Sequence, residues 1–109
     1  MRLPNFIIVG AMKSGTTTLG HYLNQHNNIF MPEDELHFFD ARGGYKSRWE
    51  KGIDWYKEQF KDAVEDQIVG EKTPTYCYLE DVPERIYKLL PQVKLIWIFR
   101  NPVDRAYSN

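Results

Sequence analysis

The sequence predicts an α/β protein in which a parallel sheet is flanked by helices. The first observation is that the apolar runs Phe6–Val9 and Val93–Phe99 are typical of strands buried on both faces. The second is that helical patterns alternate with strand patterns along the chain, an order typical of parallel sheets. The third is that the first run ends at Gly10 and is followed by a loop with a second glycine, Gly15, before a helical pattern. Together they predict a nucleotide-binding sheet with a phosphate-binding (P-loop) turn.

The first half of the chain contributes two strands and a helix. The predicted elements are a strand at about Asn5–Val9, a helix at about Thr16–Asn24, and a short strand at Ile29–Met31 that Pro32 closes. The helix has Leu19, Tyr22 and Leu23 on one face, which predicts that this face packs on the sheet. The polar, glycine-containing stretch Glu33–Arg48 predicts a loop with irregular turns.

The second half repeats the alternation. The predicted elements are a short helix that turns Trp55, Tyr56 and Phe60 inward, a strand at Gln67–Glu71, a helix from Asp81-Val82-Pro83-Glu84 to Pro91 with Ile86, Leu89 and Leu90 on its apolar face, a strand at Val93–Phe99, and a helix from Val103. Asp81 followed by Glu84 resembles a capped helix start. The sequence stops at Asn109 inside the last helix, which predicts a fold that is incomplete at its C-terminus and the front part of a longer protein.

The polar residues that follow the predicted strands define a candidate site. Ligands of parallel sheets bind beyond the carboxyl ends of the strands. Those ends carry Gly10–Thr17, Glu33–His37, Lys72–Thr73 and Arg100. We therefore expect these four polar clusters to meet at one edge of the sheet.

Composition and charge exclude several classes of protein. A chain of 109 residues fits one domain, and its net charge of −1 gives no reason to expect binding to a nucleic acid polymer. No run approaches the roughly 20 apolar residues of a membrane span. Cys77 is the only cysteine, so an intramolecular disulfide and a cysteine-based zinc site are excluded, and we expect Cys77 to be a packing residue. A cytoplasmic setting fits these features best.

The loop between the first strand and helix differs from a Walker A loop in the position of its lysine. Gly10 and Gly15 have the Walker A spacing, but Thr16 stands where that motif has its lysine. The chain instead has Lys13 inside the loop. We therefore expect the loop to hold a phosphate while its cation points to another part of the ligand. The alternative is an ordinary tight turn with a solvated lysine.

Five segments of the chain match motifs of a known family. They are IIVGAMKSGTTTL at Ile7–Leu19, EDELHFFD at Glu33–Asp40, EKTPTY at Glu71–Tyr76, VPERIY at Val82–Tyr87 and IFRNPVDRAYS at Ile98–Ser108. In these segments the chain resembles the sulfotransferases that use 3′-phosphoadenosine-5′-phosphosulfate (PAPS), most of all the heparan sulfate N- and 3-O-sulfotransferases. The resemblance covers nearly the whole chain and implies that residues 1–109 are the N-terminal, PAPS-binding part of a single sulfotransferase domain. The family's later segments and the Golgi membrane anchor of the animal enzymes are absent. A Golgi lumenal setting remains open if an anchor has been removed.

The resemblance implies a donor site and a catalytic group without a metal ion. The implied donor-binding residues are Lys13, Ser14, Gly15, Thr16 and Thr17 for the 5′-phosphosulfate, and Arg100 and Ser108 for the 3′-phosphate. Lys13 would reach the bridging oxygen, where negative charge develops as the bond to sulfur breaks. The fourth strand ends in Arg100, where an NTPase has a metal-binding aspartate, so we expect no metal requirement. For Arg100 the alternative is a surface ion pair with Asp104.

Glu35 is the expected general base, since the acceptor must lose a proton as it attacks. If this stretch is extended, alternation places Glu35 and His37 on the same side, so that His37 orients Glu35 or contacts the acceptor. Lys72 resembles a family lysine near the sulfuryl group and the acceptor. The alternatives are a solvated loop acid for Glu35 and a plain surface lysine for Lys72. His21 and His26 are expected at the surface, and Phe38 and Phe39 in the core.

The sequence thus predicts sulfuryl transfer to a hydroxyl or amine of a carbohydrate or small-molecule acceptor. Two other functions remain open. One is a P-loop kinase or other NTPase, against which the displaced lysine and the missing aspartate argue. The other is a nucleotide-binding fragment without catalytic activity. The acceptor and the oligomeric state cannot be read from the sequence.

Overall fold

Four parallel strands form one sheet in the computed structural model, which describes residues 2–10, 16–40 and 46–98, with the side chains of residues 16, 17, 46 and 47 excepted. The strands are β1 (Phe6–Gly10), β2 (Ile29–Phe30), β3 (Ile68–Lys72) and β4 (Lys94–Trp97). Their order is β2-β3-β1-β4, and every described pair is parallel. The parallel sheet predicted from the sequence is confirmed. All four carboxyl ends therefore meet at one edge.

The helices cover both faces of this sheet. They are α1 (Thr16–Asn24), α2 (Lys46–Glu50), α3 (Gly52–Glu58) and α4 (Val82–Leu89), with a 3₁₀ helix at Pro74–Tyr78. In the described ranges every helix is too short or too polar to span a membrane. Coverage of both faces explains why the β1 residues Phe6–Gly10 are all buried.

The two faces of the sheet carry cores of different composition. Ile7 and Val9 point into a large cluster rich in aromatic rings, hereafter the aromatic face; its other buried members are Leu36, Phe38, Phe39, Tyr56, Phe60, Val69, Tyr76, Val82, Ile86 and Leu90. Phe6 and Ile8 point to the opposite side, hereafter the α1 face, where they pack with Met31 and with Leu19 and Leu23 of α1. Side chains of successive strand residues point to opposite faces, which produces this division.

Gly70 of β3 makes room for an aromatic ring on the α1 face. A Cβ atom at this position would lie 2.1 Å from Cζ of Phe6, far inside van der Waals contact. Phe6 is paired with Gly70 in the parallel register of β1 and β3. The ring of Phe6 therefore covers the strand where any other residue would place its own side chain.

The predicted elements differ from the structure at a few points. The strands are shifted or shortened by one or two residues, and Lys46–Glu50 forms α2 although we expected a loop as far as Arg48. Tyr22 is 67% exposed, so only Leu19 and Leu23 of the predicted α1 stripe pack on the sheet. Asp81 makes no capping hydrogen bond at the start of α4, because its backbone is already helical and its carboxylate pairs with Arg85 at 3.5 Å. The helix predicted from Val103 lies outside the described residues.

Candidate active site

Glu35, His37 and Asp40 form a hydrogen-bonded chain that leads from the surface into the protein. His37 Nε2 lies 3.2 Å from Glu35 Oε1, and His37 Nδ1 lies 2.8 Å from Asp40 Oδ2. The side chain of Glu35 is 36% exposed, whereas those of His37 and Asp40 are 14% and 6% exposed. The ring of His37 is thus held from both sides by carboxylate groups. The arrangement leaves Glu35 as the group that a ligand can reach.

The backbone at His37 is left-handed, which corrects the extended conformation expected from the sequence. Its φ angle is +47°, an uncommon value for a residue with a side chain. Such a conformation costs about 1–3 kcal/mol and persists only where the surroundings enforce it. Here the His37 N–H donates to Thr73 Oγ1 at 3.4 Å while the ring is held by Glu35 and Asp40. Glu35 and His37 do meet as expected, but through this turn rather than through strand alternation.

Asp40 and Thr75 are site residues that the sequence did not single out. The Thr75 hydroxyl donates to Asp40 Oδ2 at 2.8 Å, the same oxygen that faces His37. Thr75 lies in the 3₁₀ helix that follows β3, 35 residues away in the sequence. Only the spacing of Asp40 three residues after His37 in EDELHFFD could have suggested its part in this chain.

Lys72 ends β3 and extends across α1 beside a cavity. It is only 7% exposed, and a Cβ atom at Gly20 would lie 3.0 Å from Lys72 Cδ. The cavity has a volume of about 360 Å³ and is lined by Gly20, His21, Asn24, Met31, Pro32, Glu33 and Lys72. Within the part of the chain that is described, the ammonium group makes no hydrogen bond or ion pair. Lys72 lines this cavity, so an anionic ligand bound there would meet its ammonium group. Lys72 is thus not the plain surface lysine of the alternative reading.

Glu71, next to Lys72, is fully buried and was also missed. Its carboxylate accepts hydrogen bonds from the hydroxyls of Tyr56, Thr73 and Tyr76. Burial raises the pKa of the Glu71 carboxyl to about 7, although the three hydroxyls act in the opposite direction. An acid within a short strand that also contains Val69 and Gly70 is the signal that the sequence offered.

A larger cavity lies at the opposite edge of the sheet, at the amino ends of the strands. Its volume is about 730 Å³, and its lining includes Asn5, Phe6, Ile68 and Lys94, which stand at the amino ends of the strands. Parallel sheets bind their ligands at the carboxyl ends, where Glu35, His37 and Lys72 lie. We therefore locate the candidate site at the carboxyl edge in spite of the smaller cavity there.

The predicted donor-binding residues fall largely outside the described ranges. Those outside are Lys13, Ser14, Gly15, Arg100 and Ser108, and for Thr16 and Thr17 only the backbone is described. Strand β1 ends at Gly10 and helix α1 begins at Thr16, so the loop joins a buried strand to a helix N-terminus. That connection suits an anion, since free backbone N–H groups and the helix dipole both favour negative charge.

The other residues for which the sequence made predictions lie where they were expected. Phe38 and Phe39 are in the core, and His21 and His26 are exposed, as predicted. Cys77 is half-buried and packs against the end of β1, where a Cβ atom on Gly10 would lie 2.3 Å from its sulfur. Burial also raises the pKa of the Cys77 thiol. Cys77 is therefore a packing residue, in agreement with the expectation.

Comparison with known proteins identifies close relatives of the whole chain. The family model of the sulfotransferase domain matches residues 3–109. Heparan sulfate glucosamine 3-O-sulfotransferase 5 of Mus musculus is 42% identical over 108 residues, covering 99% of this chain and 30% of that protein. Heparan sulfate glucosamine 3-O-sulfotransferase 6 of Homo sapiens is 38% identical, with the same coverage.

A solved structure supports the same relationship. The crystal structure of a sulfotransferase from Alicyclobacillus acidocaldarius matches this chain with a TM-score of 0.78 and 34% identity. The match covers 99% of this chain and 49% of that chain. The chain thus spans about 30% of the length of the two curated relatives and about half of the solved one.

Proposed function

Because this chain belongs to the sulfotransferase domain family, we propose that it forms the donor-binding part and supplies the general base of an enzyme that transfers a sulfuryl group from PAPS to a carbohydrate acceptor. The observation that carries the proposal is the hydrogen-bonded series of Glu35, His37 and Asp40 at the carboxyl edge of the sheet. Lys72, the last residue of β3, lies at the same edge. The family match favours this function over a P-loop kinase or another NTPase.

Glu35 takes the proton of the acceptor in this reaction. The acceptor oxygen or nitrogen forms a bond to sulfur while the bond between sulfur and the bridging phosphate oxygen breaks, and the released proton moves to Glu35. His37 holds the Glu35 carboxylate, and Asp40 with Thr75 holds the ring of His37. Positioning of the reacting groups is a large part of catalysis in such in-line transfers.

The donor is held by cations and backbone N–H groups in this proposal. When bound, PAPS supplies the sulfuryl group. Lys13, Ser14, Gly15, Thr16 and Thr17 would bind its 5′-phosphosulfate, with Lys13 at the bridging oxygen. Arg100 and Ser108 would bind the 3′-phosphate. Support comes from the strand-to-helix connection between Gly10 and Thr16 and from Lys72, which lines the cavity at this edge and carries a positive charge.

The names of the relatives make a hydroxyl of an amino-sugar polysaccharide the first acceptor to test. Small-molecule acceptors are the alternative. The compartment stays a prediction: the sequence features favour a cytoplasmic setting, and a Golgi lumenal setting is the alternative. Fractionation of the source cells would distinguish the two.

The full-length protein tests the proposed function in two steps. Calorimetric titration should show tighter binding of adenosine 3′,5′-bisphosphate than of ATP with Mg²⁺. Transfer of radiolabelled sulfate from PAPS to a panel of polysaccharides should then proceed in the presence of excess EDTA. A preference for ATP, or a loss of transfer that Mg²⁺ reverses, would support the kinase alternative instead. Binding without transfer to any acceptor would support a nucleotide-binding fragment.

A further inference from the structure

Glu71 lies at the centre of a buried network that the proposed chemistry does not use. Oε1 of its carboxylate accepts from Thr73 Oγ1 at 2.9 Å and from the Tyr76 hydroxyl at 3.0 Å. Oε2 accepts from the Tyr56 hydroxyl of α3. All four side chains are buried, so water has little access to these bonds. The network therefore has a fixed set of partners.

Two of these hydroxyls also contact the backbone that follows Glu35. The Tyr76 hydroxyl accepts from the Phe38 N–H at 3.1 Å and from the Phe39 N–H at 3.4 Å. Thr73 Oγ1 accepts from the His37 N–H at 3.4 Å. Three consecutive backbone N–H groups are thus bound by two hydroxyls, and both hydroxyls are bound to one oxygen of Glu71.

Glu71 sets the direction of the hydrogen bonds in this network. A hydroxyl has one proton, and the protons of Thr73 and Tyr76 are donated to Glu71 Oε1. Only lone pairs of the two hydroxyls then remain for the backbone, so residues 37–39 must present donors. The left-handed turn at His37 presents its N–H in this way. Without an acceptor at position 71 the two hydroxyls could rotate and release the backbone.

We propose that Glu71 is a positioning residue for catalysis, which through Thr73 and Tyr76 fixes the backbone that carries Glu35 and His37. This inference rests on the proposed function, because it assigns Glu71 to the same site. Glu71 acts through other residues: it binds the hydroxyls of Thr73 and Tyr76, and these two hydroxyls bind the backbone N–H groups of residues 37–39.

The role requires an acceptor at Oε1 rather than a negative charge. A proton on Glu71 can reside on Oε2, where the Tyr56 hydroxyl can turn and accept it, while Oε1 still accepts from Thr73 and Tyr76. Glutamine at position 71 offers the same pattern, with its oxygen in place of Oε1 and its amide group facing Tyr56. Glu71→Gln should therefore preserve the network, and Glu71→Leu should destroy it.

Tyr76→Phe and Tyr56→Phe form a matched pair that tests the inference in the full-length protein. Each substitution removes one hydroxyl that donates to Glu71, but only the Tyr76 hydroxyl also contacts the backbone of residues 38 and 39. We expect Tyr76→Phe to lower kcat roughly tenfold or more with little change in the KM for PAPS, since small displacements of a catalytic group are costly. Tyr56→Phe and Glu71→Gln should stay within about twofold of the wild type.

Amide hydrogen exchange supplies a readout that does not depend on turnover. The amides of Phe38 and Phe39 should exchange roughly tenfold faster in Tyr76→Phe and Glu71→Leu, and at wild-type rates in Tyr56→Phe and Glu71→Gln. Wild-type exchange in Glu71→Leu would exclude Glu71 as the positioning residue. Equal exchange in the two tyrosine variants, or an equal loss of kcat, would overturn the inference. If the wild type transfers no sulfuryl group, the proposed function fails, and the exchange comparison still decides whether Glu71 and Tyr76 fix this backbone.

Discussion

The two faces of the sheet hold their parts of the site by different means. On the aromatic face, Phe38 is stacked on Tyr56 with ring centroids 4.5 Å apart and is in contact with Phe39, Trp49 and Trp55. The segment that carries Glu35 and His37 is anchored in this packing. On the α1 face the core is smaller, and Lys72 crosses the helix beside a cavity. The difference is that the segment with the proposed base Glu35 is anchored by ring packing, whereas the side chain of Lys72 lies between α1 and a cavity.

Glu35→Gln should have the largest effect on activity. The change keeps the size of the side chain and its hydrogen bond to His37 but removes the basic group, so kcat should fall by about 10²–10⁴-fold. Binding of adenosine 3′,5′-bisphosphate should be unchanged, as calorimetry can verify. Glu65→Gln, an exposed acid outside the site, is the matched control and should retain activity. Normal turnover by Glu35→Gln would exclude this residue as the base.

Truncation of one core side chain on each face tests the comparison directly. Phe38→Ala should lower the free energy of unfolding by about 3–5 kcal/mol, because a fully buried ring leaves a cavity among other rings. Leu23→Ala, on the half-buried stripe of α1, should cost about 1 kcal/mol. Urea denaturation of both variants of the full-length protein measures the two values. Similar losses would mean that the two faces contribute alike.

Glu71 should make the stability of the aromatic face depend on pH. Its pKa is raised from 4.5 to about 7 in the folded protein, so the folded state binds the proton more tightly than the unfolded state. The stability that this group contributes is complete below about pH 4.5 and is lost as the pH rises through about 7, by an amount on the order of 3 kcal/mol.

Urea denaturation at pH 5 and pH 8 measures this slope. Glu71→Gln should reduce the loss between the two pH values, and Glu65→Gln, an exposed acid, should not. A wild-type slope in Glu71→Gln would show that other groups cause the pH dependence.

Gly20→Ala should have the smallest effect and acts on the α1 face. The added Cβ would crowd Cδ and Cε of Lys72, at 3.0 and 3.3 Å, and the flexible side chain should move away. We expect a loss of transfer rate of roughly threefold to tenfold. The helix itself should become more stable by about 0.5–1 kcal/mol, since alanine is the better helix former. Tyr22→Ala on the exposed side of α1 is the control. An unchanged rate in Gly20→Ala would argue against a role for the position of Lys72.

Local patterns predicted the elements well, and tertiary contacts explain what they missed. Helix α1 has the predicted bounds, because its apolar stripe and its flanking glycine and asparagine residues are all local in the sequence. Glu35, His37 and Lys72 were identified because they follow strands and match motifs. The turn at His37 depends on Thr73, 36 residues away, and the bond from Thr75 to Asp40 spans 35 residues. No periodicity of a single segment reports such contacts. The roles of the site residues stay predictions.

The close fit of Phe6 over Gly70 restricts which substitutions these two positions can accept in evolution. A larger residue at position 70 collides with the ring, and a smaller residue at position 6 opens a cavity above the glycine. Neither position can change alone at low cost, whereas a joint exchange of volume keeps the strands together. Related sequences should therefore vary at these two positions as a pair, with bulk on β1 or on β3 but not on both.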